Sequence, residues 1–590
     1  GDKMQGGSCA VYLGTYAGGY VVGSNNVFVG TYAGKGSGTA GNNTGTYNVA
    51  FGKNAQGAFT SGSRNVVSGY YAAAALTTGS CNVILGSGAG QNGAITAEHS
   101  ILVGTFAGCK LTSGGGNIAL GENALRCETA GLCNIAMGHD AMCIADGADC
   151  NVVLGVNAGK NLSTAQTNIF LGHYAGCRFT TGNSNIVIGD AAGTGAAGGT
   201  GDDNVAVGNC TIRALTSGVK NTFLGYHAGE YTTEGSWNTF IGCGSGKLNT
   251  TGCGSVFIGR NTGDANCGGN YSIIIGESAG TTGTAICDNI IIGREAGYAG
   301  ALTGKYNTIM GMQAGCDVSS GQYNTLLGHC SATNLTSGDD NVIIGRGAGQ
   351  NGAITGDQNT FVGSYAGKSM TSGARNIAIG RCSACNLSTG SDNILAGWFA
   401  GKCLGSGNYN VLLGYRAATN TTGTSNVALG PDAALFMQGG NYNIAIGYYA
   451  LRGEEGDANG GCNIGIGCHS GNDLTDGDNN VFIGNAVGCT VTTGCCNVII
   501  GHKHQAPSNT GNTQFSIGVG STSWIQGNSG YGVSTSNALE AGTFFQNATS
   551  LTVNTTFPAE GTKNGGVFGP YTIASGVTLT ISSGSTFTII

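Results

Sequence analysis

Two closely spaced histidines form the motif in this sequence that best suits a metal site. The motif is His502-Lys503-His504, and imidazole nitrogens are good ligands for transition metals. The repeat position of His502 also carries histidine in three other copies of the repeat described below: His139, His173 and His329. We therefore keep His502 and His504 as weak metal candidates and expect ordinary corner residues there.

The 23 cysteines concentrate at two positions of the same repeat. Six occupy its ninth position: Cys109, Cys143, Cys177, Cys316, Cys385 and Cys489. Six others directly precede a copy: Cys9, Cys81, Cys133, Cys150, Cys462 and Cys496. Other copies carry charged residues or tyrosine at these positions, which predicts solvent-facing corners. Spacing does not fix disulfide connectivity, so we expect surface thiols, a few of them oxidised outside the cell.

Acidic residues offer little support for catalysis. There are 30 in 590 residues, and the adjacent pairs Asp202-Asp203 and Glu454-Glu455 lie in two irregular insertions. Paired carboxylates hydrolyse glycosidic bonds in some enzymes, but neither pair has a matching partner. The sequence contains no nucleophile elbow, phosphate-binding Walker loop or HExxH motif. We expect no enzymatic activity, no catalytic residues and no cofactor.

Aromatic residues near the C-terminus suggest a recognition site. Four of them lie in a segment rich in Asn, Ser and Thr: Trp524, Tyr531, Phe544 and Phe545. Aromatic rings beside amides and hydroxyls suit stacking on sugars, although these rings would equally suit packing or attachment of this end. Thr pairs such as Thr77-Thr78 raise an ice-binding alternative, but they alternate irregularly with other polar residues. A solvated corner is the preferred interpretation of these pairs.

A short repeat must position all of these residues. An Asn or a residue in its place, three mostly apolar residues and a Gly recur in 30 copies, and 21 of the 29 intervals are 17 residues long. The pattern predicts one or two short strands with glycine corners, stacked as an all-β solenoid. About 4.8 Å per turn gives a rod of roughly 140 Å. Representative structural residues are Asn82, Gly86, Asn221, Gly225, Asn376, Gly380, Asn480 and Gly484.

The asparagine opens 25 of the 30 copies and defines position zero. We expect its amide to hydrogen-bond from turn to turn at a buried corner, not to serve as a row of ligands. Within each strand, positions one and three share one face and position two takes the other. Both faces are apolar, so we expect one to fill the core and the other to join subunits in a parallel homotrimer.

The predicted intersubunit stripe is position two, represented by Phe170, Phe223, Phe240, Phe257, Phe361 and Phe482. The alternative is a flattened solenoid in which a second wall of the same chain covers this row.

Composition sets the remaining limits. Gly accounts for 113 of 590 residues, only 9% of residues are charged, and the net charge is -7 without a basic block. This argues against nucleic acid as a partner, and no apolar run is long enough for a membrane span. The period divides the chain into a repeat rod over 1–518, a transition segment over 519–556 and a C-terminal β cap or tip module over 557–590.

The motif Asn376-Ile377-Ala378-Ile379-Gly380 resembles the repeats of β-roll heads in trimeric autotransporter adhesins. The longer unit with Thr and Phe, as in Asn221-Thr222-Phe223, is similar to repeats in tailed-phage fibres, and Gly569 to Ile590 resembles terminal modules of phage virion proteins. The phage resemblance implies a trimeric fibre in which His-x-His motifs of three chains hold a metal.

Together these resemblances predict a virion tail fibre or spike that contacts the host cell surface from outside the cell. Its expected partners are itself, other virion or tail proteins, and a host glycan or protein. The alternatives are a bacterial surface adhesin or filament subunit, and an ice- or glycan-binding secreted solenoid.

Overall fold

The computed structural model describes residues 8–39, 41–194, 198–456 and 458–527, and the backbone of seven short strands beyond residue 527. Its regular elements are all strands, and the described residues contain no helix. The chain divides into two compact units, Gly1–Asn359 and Thr360–Ile590. The predicted all-β solenoid with a spacing of about 17 residues is confirmed.

The first unit stacks twenty strands of three residues, one from each turn. They are β1 (Val11–Leu13), β2 (Val27–Val29), β3 (Val49–Phe51), β4 (Val66–Ser68), β5 (Val83–Leu85), β6 (Ile101–Val103), β7 (Ile118–Leu120), β8 (Ile135–Met137), β9 (Val152–Leu154), β10 (Ile169–Leu171), β11 (Ile186–Ile188), β12 (Val205–Val207), β13 (Thr222–Leu224), β14 (Thr239–Ile241), β15 (Val256–Ile258), β16 (Ile273–Ile275), β17 (Ile290–Ile292), β18 (Thr308–Met310), β19 (Thr325–Leu327) and β20 (Val342–Ile344). Consecutive strands pair in parallel with equivalent residues opposite each other, as Phe223 opposite Phe240.

The second unit continues the pattern with parallel strands. They are β21 (Thr360–Val362), β22 (Ile377–Ile379), β23 (Ile394–Ala396), β24 (Val411–Leu413), β25 (Val427–Leu429), β26 (Ile444–Ile446), β27 (Ile464–Ile466), β28 (Val481–Ile483), β29 (Val498–His502) and β30 (Phe515–Val519). The chain then reverses, and β31 (Thr522–Gly527) pairs antiparallel with β30 and with β32 (Val533–Ser534).

Six short strands form three parallel pairs near the C-terminus. They are β33 (Ser550–Leu551), β34 (Thr555–Phe557), β35 (Gly565–Val567), β36 (Thr572–Ile573), β37 (Leu579–Ile581) and β38 (Phe587–Ile589). The pairs are β33 with β36, β34 with β37, and β35 with β38. Each pair joins two strands separated by about the same length of chain, so this part repeats with a period longer than 17 residues.

Position two of each strand lies inside the turn, which corrects the predicted oligomer stripe. All six phenylalanines assigned to it are fully buried within one chain: Phe170, Phe223, Phe240, Phe257, Phe361 and Phe482. The opposite wall of the turn covers them through position eleven, and the ring of Phe170 lies 5.5 Å from that of Phe179 at this position. The flattened solenoid is therefore correct for this row, and its assignment to a subunit interface is wrong.

Glycine at position four follows from the close stacking of turns. Gly225 has a φ of 137°, and a Cβ built on it would lie 2.6 Å from the carbonyl oxygen of Gly242 in the next turn. Real Cβ atoms do not approach a backbone oxygen this closely, and other residues disfavour this φ. Any side chain here would push two turns apart, so the repeat keeps glycine.

Candidate functional site

The asparagines at position zero form an internal ladder with a structural role. The side-chain nitrogen of Asn65 donates to Oδ1 of Asn48 at 3.0 Å and to the carbonyl oxygen of Gly79 at 2.9 Å. The backbone N–H of Asn65 donates to the same Oδ1 at 3.0 Å. These asparagines are buried, so the ladder satisfies polar groups at a corner that water does not reach.

The outer face of the sheet carries positions one and three of each strand. These side chains are half-buried or exposed; Ile273 is 39% exposed and Ile379 is 46% exposed. Over β1 to β20 they number two per strand, or 40, and every one is apolar, Thr or Ser. An uncharged face of this length exceeds the apolar patches that monomers normally expose.

A second surface, which we name the aromatic–cationic ridge, lies at one corner of the second unit. It is formed by positions five, six and nine of the turns that contain β21 to β26. Its members are Tyr365, Lys368, Arg381, Trp398, Phe399, Lys402, Tyr415, Arg416, Tyr448, Tyr449 and Arg452. The side chains of Trp398, Tyr415 and Tyr448 are each more than two-fifths exposed.

Backbone hydrogen bonds between turns position the ridge. The N–H of Phe399 donates to the carbonyl of Arg381 at 3.1 Å, and the N–H of Arg416 donates to that of Trp398 at 2.8 Å. Both donors adopt a left-handed φ, 61° for Phe399 and 52° for Arg416. Such a φ costs a side-chain-bearing residue on the order of 1 kcal/mol and persists where neighbouring structure holds it. Because these hydrogen bonds join consecutive turns, equivalent residues of the ridge are separated by the strand spacing, about 4.8 Å.

Every cation of the ridge contacts an aromatic ring. The distances from cation to ring centroid are 5.3 Å for Lys368 and Tyr365, 5.5 Å for Arg381 and Trp398, 5.0 Å for Lys402 and Phe399, 5.0 Å for Arg416 and Tyr415, and 5.1 Å for Arg452 and Tyr449. Lys and Arg side chains lose rotamer freedom when a ligand binds them. The ring contacts already restrict these side chains, which lowers that entropic cost. A side-chain hydrogen bond with Tyr449 also raises the pKa of Tyr448.

The ridge is basic although the whole chain carries a net charge of -7. Its three repeat positions hold five cations and one acid, Asp432, whose Oδ1 lies 2.6 Å from Nε of Arg416. In the described part of the chain, the other four cations have no carboxylate within ion-pair distance. The surface therefore combines flat exposed rings with guanidinium and ammonium groups that lack acidic partners.

The two candidate metal ligands differ in environment. His502 is exposed at the end of β29, whereas His504 is only 2% exposed. Nδ1 of His504 lies 3.0 Å from the carbonyl oxygen of Gly520, and Nε2 lies 2.7 Å from Oγ of Ser516. A carbonyl only accepts, so Nδ1 carries a proton. Both nitrogens of His504 are thus occupied, and no cluster of three metal-binding side chains occurs among the described residues.

The predicted recognition residues are described only in part. Trp524 is 55% exposed on β31, where the antiparallel hairpin follows the last parallel strand. Tyr531, Phe544 and Phe545 lie outside the described residues. The structure therefore does not bring these four rings together, and recognition by this segment stays a prediction.

The cysteines are all free thiols, and burial divides them. Those preceding the asparagine are mostly exposed, as predicted, and include Cys133 and Cys150. Three at position nine are buried instead: Cys109, Cys143 and Cys385. The expectation of a solvent-facing corner was wrong for these three, because each is less than a tenth exposed. Burial raises the pKa of Cys385 to about 12, and the neighbouring Cys382 contributes.

A buried carboxylate escaped sequence reasoning. Glu128 is fully buried at position eleven, where most copies carry an apolar residue. Its Oε1 accepts backbone hydrogen bonds from Ala130, Gly131 and Gly147 at 3.1, 2.6 and 2.8 Å, and Oε2 accepts one from Ala148 at 3.3 Å. A carboxylate with this many donors is a structural cap of the loop. The available signal was an acid at an otherwise apolar repeat position.

The ridge also escaped sequence reasoning, because its residues come from six turns and form one surface only when those turns stack, as when Arg381 contacts Trp398 of the next turn. The available signal was aromatic residues at positions five and six of successive copies. None of the described residues forms a helix long and apolar enough to cross a membrane. No protein-family model matches this chain, and no curated protein matches it.

Proposed function

We propose that this protein is a structural fibre of a virion, a tail fibre or spike, that assembles as a homotrimer and contacts the host cell surface. Stacked solenoid turns suit a structural, fibre-like protein. Each turn packs only against its neighbours, so repeating the same turn lengthens the molecule. The proposal further holds that the fibre acts by binding alone, without catalysis. Its partners are its own copies, other tail proteins and a host glycan or protein.

The observation that carries the proposal is the uncharged outer face of the sheet. Monomers seldom leave so long an apolar face in water, because each half-exposed Ile or Val lacks about 1 kcal/mol of the stabilising free energy that full burial would supply. A face that repeats strand after strand is self-complementary to other copies of the same chain, and cyclic assembly around it closes without leaving a free edge. Positions one and three therefore take the role that the sequence analysis gave to position two.

Mass photometry of the purified chain tests the assembly. We expect the wild type at three times the 58.6 kDa chain mass. The double variant Ile273→Asp and Ile290→Asp places two carboxylates on the outer face of β16 and β17 and should weaken the trimer, which raises the fraction of single chains at a given protein concentration. Uncompensated buried charges cost several kcal/mol, more than the face gains at these sites.

The matched control is Tyr271→Asp, which adds a charge to a side chain 69% exposed in the same turn as Ile273. It should leave the mass unchanged. A wild type that runs as a monodisperse single chain would refute self-assembly, as would equal effects of the control and the double variant.

Localisation tests the virion role. Mass spectrometry of purified phage particles should find the chain as a particle component. Its presence on bacterial cells without particles would instead support the adhesin alternative. Incubation with host surface polysaccharide should leave the polysaccharide chain length unchanged; shortening would contradict a purely binding role.

A further inference from the structure

We propose that the aromatic–cationic ridge binds an acidic polysaccharide along the side of the solenoid. The inference rests on the proposed contact with a cell surface and names both the ligand class and the residues that take it. It places binding in the turns of β21 to β26 and not in the terminal segment that contains Trp524.

The exposed rings provide the platforms for sugars. Trp398 and Tyr415 lie on adjacent turns with ring centroids 5.4 Å apart and planes at 76°. Tyr448 and Tyr449 lie 4.0 Å apart with planes at 40°. Each exposed ring offers its face to the C–H groups of one sugar, and the polar edge of tyrosine or tryptophan hydrogen-bonds its hydroxyls. Rings spaced by whole turns suit a polymer of repeating units.

The cations select an acidic polymer. Four cations contact rings of the ridge and have no acidic partners in the described structure: Lys368, Arg381, Lys402 and Arg452. A ligand carboxylate therefore gains an ion pair here without displacing another carboxylate. From Arg381 to Arg452 the ridge crosses four turn steps, roughly 19 Å at the strand spacing. Five of the six turns carry one cation each, which matches a polymer with carboxylates along its length. The planar Arg fork suits carboxylate oxygens in particular.

The same geometry disfavours a single-stranded nucleic acid. Such binders track a phosphate on every nucleotide with a continuous positive groove and stack successive bases on aromatic side chains. Here the planes of neighbouring rings are tilted by 34° between Trp398 and Phe399 and by 76° between Trp398 and Tyr415. The acid Asp432 interrupts the cations, and the net charge of the chain is negative.

Titration calorimetry with the full-length protein tests the inference. The probes are polygalacturonate as the acidic polysaccharide, dextran as the neutral one and oligo(dT) as the nucleic acid. We expect polygalacturonate to bind, dextran to bind at least tenfold more weakly, and added salt to weaken the acidic interaction, because exposed charges are screened. Equal binding of dextran, tighter binding of oligo(dT), or no binding of polygalacturonate would overturn the inference.

Two variants separate rings from charges. Trp398→Ala with Tyr415→Ala should weaken polygalacturonate binding by about tenfold or more, the usual effect of losing central aromatic contacts. Arg381→Gln with Lys402→Gln should weaken it similarly and also reduce its salt dependence. The matched control is Tyr226→Ala, which removes a ring 53% exposed at position five of the first unit. It should leave affinity unchanged, and a loss equal to that of the ridge variants would overturn the assignment.

The ridge variants keep the outer sheet face intact, so mass photometry should give the wild-type mass for each. This separates the two proposals: failure of polysaccharide binding in a trimer found on virions rejects the ridge alone. A protein that binds polygalacturonate as a monomer rejects the assembly and leaves the ridge standing.

Discussion

Replacing one rung of the asparagine ladder tests whether the ladder holds the turns together. Asn151 is fully buried, and its side-chain nitrogen donates to Oδ1 of Asn134 at 3.0 Å and to the carbonyl of Ala165 at 2.8 Å. Its Oδ1 accepts from the backbone and side-chain nitrogens of Asn168 at 2.9 and 3.0 Å. Asn151→Ala removes both functions without disturbing the strand that follows.

The expected cost follows from the groups left without partners. The carbonyl of Ala165 and the backbone N–H of Asn168 lose their hydrogen bonds, whereas the Asn168 side chain keeps the carbonyl of Gly182 at 2.9 Å. Each unsatisfied buried group costs about 1–3 kcal/mol, so Asn151→Ala should destabilise these turns by roughly 2–6 kcal/mol.

Serine gives an internal comparison, because Ser100 already occupies a rung and accepts from the N–H of Asn117 through its Oγ at 3.3 Å. Asn151→Ser should restore an acceptor for Asn168 and leave one unsatisfied carbonyl, at about 1–3 kcal/mol.

Hydrogen exchange followed by mass spectrometry measures this locally, which matters because a stacked repeat opens in parts. Peptides covering β9 and β10 should exchange faster in Asn151→Ala by about thirtyfold to twenty thousandfold, since each 1.4 kcal/mol is tenfold. The serine variant should fall between alanine and wild type. The control Cys150→Ala alters an exposed side chain and should change little. Exchange in Asn151→Ala within a factor of two of wild type, or equal to that of the serine variant, would refute the reasoning.

Three further predictions concern the core and the cysteines. Phe240→Ala removes a ring stacked 4.6 Å from Phe257 in the core and should lower the free energy of unfolding by about 3–5 kcal/mol, measured by chemical denaturation. The control is Tyr306→Ala at an exposed position, and an effect of Phe240→Ala no larger than that of the control would contradict this. Iodoacetamide at pH 8 should alkylate Cys133 well before Cys385, whose raised pKa keeps it protonated, as measured by peptide mass spectrometry; the reverse order would reject the burial assignment. Because all 23 thiols are free, reductant should leave the circular dichroism spectrum unchanged, and a loss of β signal would show disulfides.

The sequence predicted the fold because one physical requirement recurs in every copy. A three-residue apolar strand that ends at glycine cannot bury itself, so the 17-residue period implied stacked turns before any contact was known. The asparagine ladder was equally accessible, since a polar residue beside apolar ones must find partners and its nearest equivalent lies one turn away.

Strand alternation alone did not reveal which face is inside. It divides positions one and three from position two but is symmetric between core and surface. The asymmetry came from elsewhere in the turn, where Phe179 and Leu335 at position eleven form a second wall facing position two. Thr at position one, as in Thr222 and Thr239, was the readable signal, because an outer face tolerates hydroxyls that a core does not.

The repeat itself explains why function escaped a search for motifs. Chemical motifs are read along the chain, but a solenoid brings together residues one period apart, such as Arg381, Trp398 and Tyr415. Their spacing has no meaning until the turn length is known, and then it becomes a row at the strand spacing. The same rule separates the two surfaces of the second unit: uncharged residues in every turn make the outer face suited to identical copies. Rings and cations concentrated in the turns of β21 to β26 make the ridge suited to a different molecule. Uniformity along the repeat thus indicates assembly, and departure from it indicates recognition.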